Sequence, residues 1–186
     1  MKNAMTKEFT NYQIFDYERK YNNMELIILS LLSISLPIFI GHPQIVIGSL
    51  VNLMLFRAAL SMEMKKALPI IFLPSIGAYL GDLLFGEATS FLIFFIPIIW
   101  LGNAIYVFAG KFVSHKMDRN LGVSVIVASA LKSSFLFISA VVAVNLFGFP
   151  VMFLTAMGIF QFITAMIGGF SAFFLTKAEG LLMMKG

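Results

Sequence analysis

After a polar opening of about two dozen residues, the chain is a succession of long apolar runs separated by short breaks. A membrane-spanning helix needs about 20 predominantly apolar residues. Six runs meet or approach that length: about 24–40, 44–61, 67–85, 90–111, 121–147 and 150–176. Between them lie Gly41 to Pro43, Met62 to Lys66, Gly86 to Thr89, Phe112 to Asn120 and Gly148 to Pro150, each carrying the Gly, Pro or charge that ends a helix. The pattern predicts an all-α integral membrane protein, a single bundle of six transmembrane helices over residues 24–176. A cytoplasmic N-terminal tail (1–23) and a cytoplasmic C-terminal tail (177–186) flank it.

Composition agrees with the pattern. Of 186 residues 60% are hydrophobic and 12% charged, against about 45–50% apolar and about 25% charged in soluble domains. Residues 1–23 carry charges of both signs, and no small-residue cleavage site follows the first apolar run, so that run reads as a retained helix and not a signal peptide. Phe9, Tyr12, Phe15, Tyr17 and Tyr21 suit a short amphipathic helix on the membrane surface, or an unstructured tail.

Charge sets the expected orientation. The thirteen Lys and Arg residues fall in the N-terminal tail (2, 7, 19, 20), around the second break (57, 65, 66), around the fourth (111, 116, 119) and at the C-terminus (177, 185), with Lys132 alone inside a run. The other three breaks carry none. The excess of positive charge on cytoplasmic loops then puts both termini inside and the breaks at Gly41, Gly86 and Gly148 outside, in the plasma membrane. His42 and Gln44, beside Pro43 in the first turn of the second helix, fall at the outer entrance. Polar residues at a helix end are also simply wet.

Several polar side chains lie too deep for that explanation. At 1.5 Å per residue, Asn52 is roughly 12 Å below the outer start of its helix, Asn103 roughly 20 Å and Gln161 roughly 17 Å, while Lys132 is roughly 17 Å up from the inner start of the fifth. Four helices thus bring hydrogen-bonding groups toward the middle third, which predicts a polar cavity. A buried ammonium costs about 2.5–3.5 kcal/mol on insertion scales and should face the bundle interior, water or an anion. No mid-depth acid is in view, since Asp82 and Glu87 sit at the outer end of the third helix. An anionic ligand would supply the missing charge. The competing reading is snorkelling, which is the favoured one for Arg57. The amides also suit plain interhelical bonding, and Trp100, one turn before Asn103, suits either a ligand wall or packing. Gly77, Gly81, Gly168, Gly169 and Ala172 read as close helix contacts.

Some chemistry is excluded. There is no cysteine and the two histidines are far apart, so no metal site is expected. The stretch "GDLLFGEA" has the glycines of a phosphate loop without its Lys and Ser/Thr. No cofactor and no catalytic residue is expected, and the serines near Lys132 (129, 133, 134) offer only a weak serine–lysine dyad.

The segments "GHPQIVIGSLVNLMLF", "ALPIIFLPSIGAYLGDLLFG", "FIPIIWLGNAIYVFAG" and "ASALKSSFLF" resemble substrate-binding S components of energy-coupling factor (ECF) transporters. The resemblance implies a high-affinity scavenger of a vitamin, vitamin precursor or metal ion, docked in the cell membrane to a transmembrane T component driven by two ATPases. It puts His42 and Gln44 near an outer gate, with Asn52, Asn103, Lys132 and Gln161 below; together with Trp100 as a ring wall beside Asn103, these are the candidate substrate-binding residues. The first helix, "LIILSLLSISLPIFI", has serines where S components often carry an Ala-x-x-x-Ala docking motif. The alternatives are a solitary small-solute carrier, a membrane scaffold or assembly protein, or an intramembrane enzyme using Lys132. A buried lysine among amides favours a carboxylate-bearing solute over a bare cation.

Overall fold

A computed structural model describes residues 23–40, 42–81, 89–116 and 121–183. Over these residues the chain is all-helical: α1 (Asn23–Phe39), α2 (Gln44–Ser61), α3 (Met64–Gly81), α4 (Thr89–Lys111), α5 (Leu121–Phe147), α6 (Met152–Met157) and α7 (Ile159–Met183). A π-helical turn, Phe112–Lys116, closes α4. Four stretches are long and apolar enough to cross a membrane: Gln44–Ser61, Thr89–Ser114, Leu121–Phe147 and Met152–Glu179. α1 is a shorter apolar helix, and α3 takes Lys65 and Lys66 into its first turn and holds Pro69 and Pro74. The aromatic tail residues, Asp82 and Glu87 lie outside the described residues.

The sixth apolar run is not the continuous helix its hydropathy predicts. Gly158 interrupts it with φ −95° and ψ −101°, a backbone setting outside the usual L-residue regions. A Cβ there would stand 2.6 Å from the Leu154 carbonyl oxygen and 2.7 Å from the Phe137 ring. α7 then continues through Lys177 and Glu179 to Met183, along the stretch expected as a tail.

Large apolar side chains cover the outside, as lipid requires: Phe39 is 78% exposed, Phe94 72% and Leu146 73%. The interior holds two separate apolar clusters. One, at the Arg57 end, gathers Leu55, Phe56, Ile70, Ile71, Tyr106, Val125 and Ala165. The other, toward Gly148, gathers Ala78, Leu92, Phe95, Leu136, Phe153 and Met157. Buried Asn52, Ser75, Asn103, Lys132 and Thr164 occupy the level between them.

Glycine sets how closely the helices approach. α2 packs most extensively on α7. A Cβ on Gly168 would lie 2.4 Å from the Ser49 carbonyl oxygen and 2.5 Å from the Leu53 nitrogen, so only glycine allows these two backbones to meet. Gly77 abuts the Ile34 carbonyl of α1 in the same way.

Arg57 corrects the expectation of snorkelling. Its side chain is 11% exposed and pairs with Glu25 of α1 (Nε to Oε1, 2.5 Å) and Glu179 of α7 (Nη1 to Oε2, 2.7 Å). Nη1 also donates to the Thr176 hydroxyl at 2.9 Å. Two acids, more than a hundred residues apart in sequence, draw the guanidinium into a three-helix clasp.

Candidate functional site

The polar level of the bundle opens into a cavity of about 80 Å³, running from the first turn of α2 inward. Gln44, Asn52, Asn103, Lys132 and Gln161, from α2, α4, α5 and α7, all line it, together with Ser75 of α3 and apolar Pro37, Ile47, Leu92 and Met157. At about 10–15 Å³ of such space per water, it holds several waters or a small polar group. Gln44 and Gln161 are half-buried, and Asn52, Asn103 and Lys132 are buried.

Lys132 is the centre of the arrangement. It is 2% exposed, so it does not snorkel. Its Nζ donates to Asn52 Oδ1 at 2.6 Å and lies 5.3 Å from the centre of the Tyr106 ring, within cation–π range. Among the described residues no carboxylate pairs with it. No serine hydroxyl bonds to its Nζ either, as a serine–lysine dyad would require: Ser133 donates to the Ala130 carbonyl at 3.2 Å, and Ser134 is exposed.

Asn52 is oriented before any ligand is considered. Its Nδ2 donates to the Gly48 carbonyl at 2.9 Å and to the Thr164 hydroxyl at 3.1 Å, while that hydroxyl donates to the Phe160 carbonyl at 2.8 Å. Both amide protons being spent, Oδ1 is left to face Lys132. Tyr106 is held likewise, its hydroxyl donating to the Ala165 carbonyl at 2.7 Å.

On the opposite wall α4 grips α3. Asn103 Nδ2 donates to the Ile71 carbonyl at 3.0 Å. One turn away, Trp100 Nε1 donates to the Phe72 carbonyl at 3.1 Å and the Ser75 hydroxyl at 2.8 Å, with its ring 4.9 Å from that of Phe72. The two carbonyls lie in the turn before Pro74 of α3, and the Ser75 hydroxyl just after it.

Five of the seven sequence-selected residues therefore meet at one cavity. Trp100 is not in its lining and acts through Ser75, which is. His42 is exposed beside the α2 entrance and also outside the lining. Sequence reasoning missed Ser75, Thr164 and Tyr106. Thr164 stands one turn from Gln161, and Ser75 follows Pro74, so spacing and the proline were the available signals.

No protein family matches the chain, and neither a curated protein nor a solved structure matches it with significance.

Proposed function

We propose that this chain is the membrane-embedded, substrate-binding subunit of an ECF-type importer, capturing a small carboxylate-bearing, vitamin-like solute at the outer face of the plasma membrane. Both termini lie in the cytoplasm, and a transmembrane T component with two ATPase subunits supplies the energy. The observation that carries the proposal is Lys132: a cation buried at mid-depth, lining a cavity with four carboxamides, with no carboxylate partner among the described residues. A charge in that setting is costly unless something compensates it, and intramembrane ionisable groups mark ligand or ion pathways by default. An anionic solute compensates it and at the same time gains from a low-dielectric site.

The α4–α3 clasp favours a second function, a scaffold in which buried amides serve only to join helices. One experiment separates the two. The tagged chain and its Lys132→Met variant are purified from the source membranes in mild detergent and analysed by native mass spectrometry. An importer subunit brings a carboxylate-bearing solute that the variant lacks, along with a T component and ATPases recovered by both. Partners of another kind with no solute in either sample point to the scaffold. A divalent metal as the only bound species refutes an anionic ligand.

A further inference from the structure

Trp100 stands outside the cavity lining, yet it decides what one wall of the cavity offers. An indole N–H only donates and a backbone carbonyl only accepts. Ser75, 3% exposed and lining the cavity, lies between one of each: it accepts from Trp100 Nε1 at 2.8 Å and gives its proton to the Phe72 carbonyl at 3.0 Å. A hydroxyl has a single proton and two lone pairs, so the proton and one lone pair are committed. Ser75 therefore presents to the cavity an acceptor and no donor. The indole itself is held in place, with its ring 4.9 Å from that of Phe72 and its N–H shared with the Phe72 carbonyl at 3.1 Å.

The facing wall has the opposite character. Lys132, 2% exposed, only donates, and its bond to Asn52 Oδ1 uses one of the three N–H groups of an ammonium. Asn52 keeps no amide proton for a solute, since the Gly48 carbonyl and the Thr164 hydroxyl take both. Among the described residues no acid lines the cavity or pairs with Lys132, so the space carries one positive charge without its counterpart.

We infer that the solute is a hydroxy acid, its carboxylate on the Lys132 ammonium and its hydroxyl donating to Ser75, with Trp100 as the positioning residue that keeps Ser75 an acceptor. The inference rests on the solute-site function proposed above, and adds the class of solute and the residues that read it. Charge excludes the nearest rival. An amino acid also brings a donor, but its own ammonium cancels the negative charge that Lys132 needs and finds no acid in the lining among the described residues. A keto acid keeps the charge, but it sets a carbonyl oxygen against the Ser75 lone pair, and two acceptors make no bond. The cavity of about 80 Å³ has room for several waters, and so for a short hydroxy acid.

The test titrates carbon-13-labelled lactate, pyruvate and alanine into the purified full chain, with binding read by NMR of the probe. The three share one carbon skeleton and differ in the group beside the carboxylate: hydroxyl, carbonyl or ammonium. Saturable binding of lactate is expected, about tenfold or more tighter than that of pyruvate or alanine. Ser75→Ala should bring lactate down to the affinity of pyruvate and leave pyruvate no weaker. Replacing Trp100 by 3-benzothienylalanine keeps the bicyclic ring, puts sulfur in place of the N–H and frees the Ser75 hydroxyl to turn. The preference for lactate over pyruvate should then fall toward parity, a change that lost packing alone does not produce. Equal affinity for lactate and pyruvate in the native chain, a preference unmoved by either substitution, or alanine bound as tightly as lactate overturns the inference; Lys132→Met abolishing the binding then leaves the solute site standing. Binding that survives Lys132→Met overturns both. No saturable lactate binding by the native chain overturns the hydroxy-acid assignment, and the solute site is then decided by the co-purified molecule.

Discussion

Replacing Lys132 with methionine distinguishes a binding residue from a structural strut, because the two differ in how much stability the change costs and in whether bound solute is lost. Methionine has a similar length and adapts to irregular space. The substitution removes the ammonium and leaves Asn52 Oδ1, 2.6 Å from Nζ in the native chain, without its donor. An unsatisfied buried acceptor costs about 1–3 kcal/mol, and losing the contact with the Tyr106 face adds about 0.5–2 kcal/mol. Against this, the buried charge itself costs about 2.5–3.5 kcal/mol, which the variant recovers. The terms nearly cancel, and the expected change in unfolding free energy is within about 2 kcal/mol of zero, of either sign. Reversible unfolding in bicelles gives the number, and native mass spectrometry of the same samples gives solute occupancy. A strut behaves otherwise: breaking a buried charged pair typically destabilises by about 3–5 kcal/mol. A loss in that range with solute occupancy unchanged would refute the assignment of Lys132 to ligand binding.

The remaining predictions concern the frame around the site. Gly168→Ala forces the α2 and α7 backbones apart and destabilises by about 3 kcal/mol, the upper part of the overpacking range; Gly148→Ala, at φ +69° with nothing within 4 Å, costs only about 1–2 kcal/mol, and equal losses in thermal unfolding would contradict the close approach. Asn103→Leu loses the bond to Ile71 and with it about 0.6–1.7 kcal/mol, the measured span for such bonds in membranes. Arg57→Met leaves Glu25 and Glu179 unpaired and costs about 3–5 kcal/mol; adding Glu25→Leu should recover part of it, and a second loss that simply adds would show that the clasp is not coupled. Because the chain has no cysteine, single cysteines at exposed His42 and Lys65 report orientation cleanly. An impermeant maleimide should label the first in intact cells and the second only after permeabilisation, and the reverse pattern refutes the proposed topology.

Length and hydropathy sufficed for α2, α4 and α5 but not for the six full spans expected, because they constrain a membrane helix in one dimension only: an apolar run of the right length ended by Gly, Pro or charge. α2, α4 and α5 follow the expected runs to within a residue or so. The cavity was legible through depth, since Asn52, Asn103, Lys132 and Gln161 sit at similar levels on different helices. What depth does not carry is azimuth. Whether Trp100 faces the cavity or α3 depends on rotation of α4, and sequence spacing gives only that it shares a face with Asn103. Arg57 was misread because snorkelling is a local argument, whereas its partners lie in α1 and at the end of α7. The break at Gly158 was hidden for a related reason: glycine inside an apolar run is common in membrane helices, and only the packing of Phe137 against it distinguishes this one.

The polar level between the two apolar clusters contains groups of two kinds, and the division between them is the strongest argument about function. Asn103 Nδ2, Trp100 Nε1, Asn52 Nδ2 and the Tyr106 hydroxyl donate to backbone carbonyls or neighbouring hydroxyls on other helices. They fix the helices, and they are what a scaffold needs. Lys132 and Gln161 are different: one has donors beyond its single bond and no counter-charge among the described residues, the other a buried oxygen with no partner. Both border the same cavity. A scaffold is better served by apolar residues at these two positions, because a half-satisfied buried network is less stable than an apolar one. The surplus is intelligible if the missing partner arrives from outside, and the rigid first group then has a second role, holding Asn52 and hence Lys132 in the geometry that partner meets.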